Sequence, residues 1–135
     1  MHVLLVEDDD GSASVVSVAL HGCAMVMREI DGAGALAVLR STLPDVVLTD
    51  LRGIAGESPV DYVAQLRVAL DATAAKVRAP RTPIVLTSAL DPRAMGAIAS
   101  AILGVVALPK PFSPRALREL VESLTAPRVG AHPEG

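Results

Sequence analysis

The chain has 135 residues and a formal net charge of −3, which fits one domain with a core of its own. This mild acidic charge offers no basic surface for nucleic acid, and one Tyr, one Phe and no Trp give no platform for stacking bases. No apolar run approaches the roughly 18 residues that suggest a membrane span, and no signal peptide is visible. The single cysteine, Cys23, excludes an internal disulfide and lies in an apolar stretch that predicts a buried, inert thiol. We therefore expect a cytoplasmic protein that binds neither nucleic acid nor membrane.

Short aliphatic runs alternate with longer segments that are rich in Ala and Leu. The runs are apolar throughout and do not alternate with polar residues, as expected for strands buried on both faces of a parallel sheet. Four runs are clear and a fifth, Ala24–Met27, is weaker. The clear ones are Val3–Val6, Val46–Thr49, Ile84–Thr87 and Gly104–Leu108.

Helix start signals lie between these runs. Ser58, Asp91 and Ser113 each precede a proline, which is the pattern of an N-cap followed by a first helical residue. The order of strand and helix, repeated five times, predicts a doubly wound α/β fold with a five-stranded parallel sheet and helices on both faces. Residues 1–125 would form this domain, and residues 126–135, rich in Pro and Gly, would form a fraying tail.

Polar residues gather where the strands end, and in such a sheet sites form beyond the carboxyl ends of the strands. Glu7 and Asp8 follow the first strand, Asp50 the third, and Lys110 the fifth, while Thr87 ends the fourth. Converging carboxylates repel each other and need a cation, and their oxygens suit a hard ion such as Mg²⁺ or Mn²⁺. A carboxylate beside a metal, a hydroxyl and a lysine could also accept a phosphoryl group. Taken alone, the acidic residues after the first strand could equally be a solvated cap of the first helix.

Five motifs, in this order and near this spacing, resemble those of response-regulator receiver domains of two-component systems. The resemblance extends from His2 to about Leu124 and implies a flavodoxin-like strand order 2-1-3-4-5 in a stand-alone domain. The motifs are His2–Asp9, Asp31–Leu36, Asp45–Leu51, Pro83–Ala89 and Lys110–Phe112.

The resemblance also implies a metal site and a phosphorylation site. Asp50 would be the phosphoryl acceptor. Asp8 would bind the metal directly and Glu7 through water, with Asp50 and the backbone carbonyl of Arg52 completing the protein's share of the ligands.

Two further residues would act on the phosphoryl group. Thr87 would hydrogen-bond a phosphoryl oxygen. Lys110 would pair with the carboxylate of Asp50 and then with the phosphoryl oxygens, and the bond from Lys110 to Pro111 is often cis in this family.

The sequence departs from the family pattern near the site. The residues after Asp50 lack the usual Met-Pro, and Ala107 stands where the family has an aromatic switch residue. More residues separate Asp50 from Thr87 than is usual in the family. We place the extra residues in the loop after Asp50 and in a long third helix that runs to Arg78. Because Ala107 has no ring to move, signalling would depend on backbone shifts, on loops or on a different face.

The favoured function is a receiver that is phosphorylated by a sensor histidine kinase or a histidine phosphotransfer protein and signals through docking to an unknown downstream protein or through onward phosphotransfer. It would be no enzyme beyond self-catalysed acceptance and slow autodephosphorylation. Two copies could pair through the face of the fourth helix, fifth strand and fifth helix (94–101 and 115–122).

Three alternatives remain on the sequence. A degenerate receiver that only binds partners ranks second. A haloacid-dehalogenase-like phosphatase fits poorly, because it needs an aspartate two residues after the nucleophile, where Arg52 stands. A dinucleotide-binding domain fits least, because acidic residues follow the first strand in place of a glycine-rich loop.

Overall fold

Strands and helices alternate along the chain in the computed structural model, which describes residues 1–51, 54–88 and 91–126. The strands are β1 (His2–Val6), β2 (Met25–Glu29), β3 (Val46–Thr49), β4 (Ile84–Ser88) and β5 (Val105–Pro109). The helices are α1 (Asp10–Ala19), α2 (Gly32–Leu39), α3 (Pro59–Val77), α4 (Pro92–Ala101) and α5 (Pro114–Thr125). Among the described residues, none of the helices has the length and apolar character needed to cross a membrane.

The five strands form one parallel sheet in the order β2-β1-β3-β4-β5. Val6 lies opposite Glu29 on one side and Thr49 on the other, so the carboxyl ends of the three strands are level. The predicted doubly wound α/β fold and its strand order are confirmed.

Each face of the sheet has its own core, because successive side chains of a strand point to opposite faces. Leu4 and Val47 face the side covered by α2, α3 and α4. Val3 and Leu48 face the side covered by α1 and α5. The central strands are therefore buried on both faces, which accounts for their uninterrupted apolar runs.

The helices begin where the capping pattern predicts. The side chains of Ser58, Asp91 and Ser113 each accept a backbone hydrogen bond from the first turn of the helix that follows. Asp9 caps α1 in the same way. The third helix has 19 residues and ends against Arg78, whose φ of 55° is left-handed, so the predicted extension of this helix is confirmed.

The edge strand differs from its sequence prediction. The weak run was placed at 24–27, but β2 is Met25–Glu29, with Met25 and Met27 exposed. An edge strand is partnered on one side only, so its burial pattern predicts its bounds poorly. The prediction of a buried Cys23 is wrong, because the residue is half-buried in the connection that leads from α1 to this edge.

A buried arginine joins α3 to the amino-terminal edge of the sheet. Arg67 is 7% exposed and donates from Nη2 to the Thr82 carbonyl at 2.8 Å and from Nη1 to the Leu103 carbonyl at 3.4 Å. Its Nε donates to Asp71 Oδ1 at 3.1 Å. Gly104 lies so close that a Cβ there would be 2.8 Å from Nη1, and its φ of 74° also favours glycine.

Arg67→Met is expected to lower the free energy of unfolding by about 2–3 kcal/mol, because two backbone carbonyls lose a charged donor in a buried place. Arg115→Met is the matched control, since its partner Glu119 and Arg115 itself are both exposed. The control should change stability by less than about 0.5 kcal/mol. Urea unfolding of both variants measures the difference, and equal stabilities would contradict the structural role of Arg67.

Candidate functional site

Three carboxylates from two neighbouring strands meet at the carboxyl edge of the sheet. Asp50 follows β3 and donates its backbone N–H to the Val6 carbonyl of β1 at 3.1 Å, which places it beside Glu7. One oxygen from each of Glu7, Asp8 and Asp50 lies within 4.8 Å of the other two. The topology thus brings together the acidic residues that the sequence predicts at this edge.

The three carboxylates differ in their access to solvent. Glu7 is 2% exposed, Asp50 is half-buried and Asp8 is exposed. The backbone N–H of Asp9 donates to Glu7 Oε2 at 3.3 Å. Glu7 is thus held within the protein, whereas Asp8 stands at the solvent side of the cluster.

Lys110 reaches into the cluster from the loop after β5. Its Nζ donates to Glu7 Oε1 at 2.8 Å, and lies 3.5 Å from Asp50 Oδ2 and from Ser12 Oγ. The bond between Lys110 and Pro111 is cis, as the resemblance implies. The sequence suggested Asp50 as the partner of this lysine, but the shorter contact is to Glu7.

The surroundings of Lys110 favour its charged form. Burial alone would lower the pKa of Lys110, but the hydrogen bond to Glu7 and the charges of Glu7 and Asp50 outweigh it, so the net shift is upward. Within the described cluster, one lysine stands against three carboxylates. The remaining negative charge and the oxygen donors fit a hard divalent cation such as Mg²⁺ or Mn²⁺.

Thr87 lies on β4, next to the strand that carries Asp50. It is 2% exposed, and its Oγ1 is 3.5 Å from the Thr49 carbonyl. A hydrogen bond of this length is weak, so little holds the hydroxyl in its present direction. Arg52, whose carbonyl was predicted as a metal ligand, lies outside the described residues, as does Ala89.

The sequence matches no protein-family model and no curated protein. Solved structures are nevertheless similar. The chemotaxis response regulator CheY4 of Vibrio cholerae superimposes with a TM-score of 0.73 at 22% identity, covering 91% of this chain and 97% of that one. A protein described as a response regulator from Chloroflexus aurantiacus gives 0.73 at 26% identity, covering 93% and 98%.

A third similar structure contains a metal ion of its own. The receiver domain of the sensor histidine kinase PA1611 from Pseudomonas aeruginosa, with a magnesium ion coordinated in its active site cleft, gives a TM-score of 0.73 at 21% identity, covering 93% and 98%. The chain has the fold of response-regulator receiver domains. The parallel sheet of this fold explains why the acidic residues, Thr87 and Lys110 lie together at one edge.

Two residues of this receiver fold escaped the sequence analysis. Arg28 on β2 donates from Nε to the Glu7 carbonyl at 2.9 Å, which helps to hold the loop carrying the acidic residues. Its Nη1 also forms an exposed pair with Asp10 Oδ1 at 2.9 Å. Ser12 lies in the first turn of α1, within 3.5 Å of the Lys110 amine. The basic side chain of Arg28, on a strand beside the acidic loop, was a sequence signal for its role. Nothing in the sequence pattern pointed to Ser12.

Cavities adjoin the site on two sides of the receiver fold. The cavity beside Lys110, between α1 and the loop after β5, has a volume of about 480 Å³. A larger one of about 720 Å³ adjoins Asp8. The second leaves room for a donor group to approach the cluster from the side of Asp8. The first is lined by Asp9, Gly11, Ser12, Val15, Lys110, Pro111 and Phe112, and the second includes Asp8, Asp31, Leu51, Ile54 and Glu57.

Proposed function

We propose that this receiver fold accepts a phosphoryl group on Asp50 from a sensor histidine kinase or a histidine phosphotransfer protein. It would then signal by docking to a downstream protein or by passing the phosphoryl group onward. The observation that carries the proposal is the cluster in which Lys110 Nζ lies 2.8 Å from Glu7 and 3.5 Å from Asp50, with Asp8 alongside. This combination serves phosphoryl transfer, which depends on positioning and on charge stabilisation.

The transfer itself needs little covalent chemistry from the protein. A carboxylate oxygen of Asp50 forms a bond to phosphorus while the bond from phosphorus to the donor's imidazole nitrogen breaks, and the imidazole leaves with that electron pair. Lys110, 3.5 Å from Asp50 Oδ2, can follow the charge onto the transferred oxygens. Thr87 would turn from the Thr49 carbonyl to donate to one of them.

The carboxylates would hold Mg²⁺ or Mn²⁺. Asp8 and Asp50 would bind it directly and Glu7 through water, with the Arg52 carbonyl added by the resemblance. The bound ion would supply positive charge against the carboxylates and the phosphoryl oxygens. The magnesium in the cleft of the Pseudomonas receiver domain supports this choice of metal.

No turnover of an external substrate is proposed, only self-catalysed acceptance and slow loss of the phosphoryl group. Pairing through α4, β5 and α5 and a cytoplasmic location stay predictions. Ala107 is half-buried against the core that includes Met95 and Leu86, and its methyl group supplies no ring at the usual switch position. We therefore expect the output to leave the domain by another route than the usual aromatic switch.

The proposal is tested by intact mass after incubation with acetyl phosphate and Mg²⁺, and again with a panel of histidine kinases and ATP. One added phosphoryl group, lost when the metal is chelated, is the expected result. No uptake from any donor would overturn the proposal and favour the alternative, a binding module that works without phosphorylation.

Asp8→Asn is expected to weaken Mg²⁺ binding at least about tenfold, because an exposed charged ligand becomes a neutral one. Asp10→Asn is the matched control: Asp10 is exposed, pairs with Arg28 and is not one of the clustered carboxylates. It should change the affinity by less than about threefold, through long-range charge alone. Calorimetric titration with Mg²⁺ measures both, and a wild-type affinity in Asp8→Asn would remove Asp8 from the site.

A further inference from the structure

A chain of buried hydroxyl groups lies beneath the acceptor. Thr49 Oγ1 donates to the backbone carbonyl of Asp50 at 2.7 Å. The hydroxyl of Tyr62, in the first turns of α3, lies 2.7 Å from the same Oγ1. Tyr62 and Thr49 are fully buried, and Tyr62 is the chain's single tyrosine.

The direction of the chain follows from the number of protons. A threonine hydroxyl has one proton, and that of Thr49 goes to the Asp50 carbonyl, so Tyr62 must donate to Thr49. Burial raises the pKa of Tyr62 to about 12, so the phenol is neutral and able to donate at any ordinary pH. The order is therefore Tyr62 to Thr49 to the Asp50 carbonyl.

The chain acts on the peptide group of the acceptor residue itself. The Asp50 carbonyl belongs to the peptide group that follows Asp50. Its direction fixes the ψ torsion of Asp50, and with it the orientation of the Cα atom from which the carboxylate projects. The other carbonyl in reach, that of Thr49, takes the weak bond from Thr87. Thr49 therefore contacts Asp50 through its hydroxyl and Thr87 through its carbonyl.

A buried tyrosine at this position would destabilise the fold if its hydroxyl had no hydrogen-bond partner. Its surroundings are the aliphatic residues of the core under α3, such as Val63 and Leu66. A buried phenol needs a hydrogen-bond partner, and a phenylalanine would fill nearly the same space without that need. Thr49 is the partner that the structure gives it.

We propose that Tyr62 is a positioning residue for phosphoryl acceptance, acting through Thr49 to fix the peptide group and hence the carboxylate of Asp50. The inference rests on the proposed function. It differs from a purely structural role, which would affect stability but not the rate of uptake by folded protein.

The test compares Tyr62→Phe, Thr49→Val and the double variant in phosphoryl uptake from acetyl phosphate with saturating Mg²⁺. Tyr62→Phe should slow uptake about tenfold, because a small misplacement of a reacting group has large effects on rate. Thr49→Val should slow it at least as much. Adding Tyr62→Phe to Thr49→Val should cause no further loss, and should relieve the unpaired phenol that Thr49→Val leaves, so the double variant also guards against misfolding.

Thr82→Val is the matched control. Thr82 is buried, and its hydroxyl donates to the Pro44 carbonyl at 3.3 Å at the other edge of the sheet. It loses a buried hydrogen bond as the test variants do, but should keep the wild-type rate.

The outcomes separate the two proposals. If the wild type takes up phosphoryl groups and Tyr62→Phe does so at the same rate, the positioning role is overturned and the proposed function stands. Losses that multiply in the double variant would also overturn it, since the two residues would then act separately. If the wild type takes up none, either from acetyl phosphate or from a panel of histidine kinases, the proposed function fails, and the positioning role with it.

Discussion

Asp50→Asn is expected to abolish phosphoryl uptake, with a rate lower by a factor of about 10³ or more, while the domain stays folded. An amide is a poor nucleophile towards phosphorus, so the step that forms the acyl phosphate is lost. The fold should tolerate the change, because it removes one charge from a cluster of three carboxylates and leaves Lys110 its 2.8 Å bond to Glu7. Uptake of labelled phosphoryl groups from a kinase or from acetyl phosphate measures the effect.

Asp45→Asn serves as the control for this change. Asp45 precedes β3 as Asp50 follows it, but it is exposed and accepts a hydrogen bond from the backbone of His2 at the opposite edge. Its variant should take up phosphoryl groups at the wild-type rate. Uptake by Asp50→Asn at the wild-type rate would mean that another residue is the acceptor.

Lys110→Met should slow phosphoryl uptake by about a hundredfold, because the positive group that follows the transferred charge is gone. The same change leaves Glu7, which is 2% exposed, without its ion pair. Removing one partner of a buried pair costs about 3–5 kcal/mol in general. We expect about 2 kcal/mol here, because the Lys110 side chain is 19% exposed and water screens part of the interaction.

The stability difference between wild type and Lys110→Met has a predicted pH dependence. Because the pKa of Lys110 is raised above its ordinary 10.5 in the fold, its stabilising contribution is complete below that value. It is lost as the pH rises through the raised pKa. Urea unfolding should therefore give a constant difference from pH 7 to 9, which shrinks only in more alkaline solution.

Lys76→Met removes the same side chain from an exposed position in the last turn of α3 and should change neither uptake nor stability appreciably. Lys110→Arg should keep the charge but not the geometry, and recover part of the stability. Full-rate uptake by Lys110→Met would exclude Lys110 from the transfer step.

The strands and the helix starts could be predicted because their causes are local, whereas the strand order was implied by the family resemblance. Strands such as Val46–Thr49 are buried on both faces, so their sequence is apolar throughout, and a Ser or Asp before Pro marks a helix start at Ser58 and Asp91. The bounds of β2 and the partial exposure of Cys23 were harder to predict from the sequence. Both lie at the sheet edge, where burial depends on which neighbours are absent.

The sequence predicted that Glu7, Asp50 and Lys110 would lie together, but not which carboxylate would make the shorter contact with Lys110. Glu7, Asp50 and Lys110 follow strands of a parallel sheet, so the topology alone places them at one edge. That Lys110 prefers Glu7, a residue 103 positions away, depends on side-chain distances that no pattern encodes. The same holds for the hydroxyl of Tyr62, whose position in the sequence marks it only as a core residue of α3.

The most direct test of the account is to locate the phosphoryl group on the chain. Borohydride reduces an acyl phosphate of aspartate to homoserine, which fragment mass spectrometry can assign to a residue. After phosphorylation and reduction, homoserine should stand at position 50 and nowhere among the neighbouring acidic residues Asp8, Asp9 and Asp10. Homoserine at one of these positions, with Asp50 intact, would contradict the assignment of Asp50 as the acceptor.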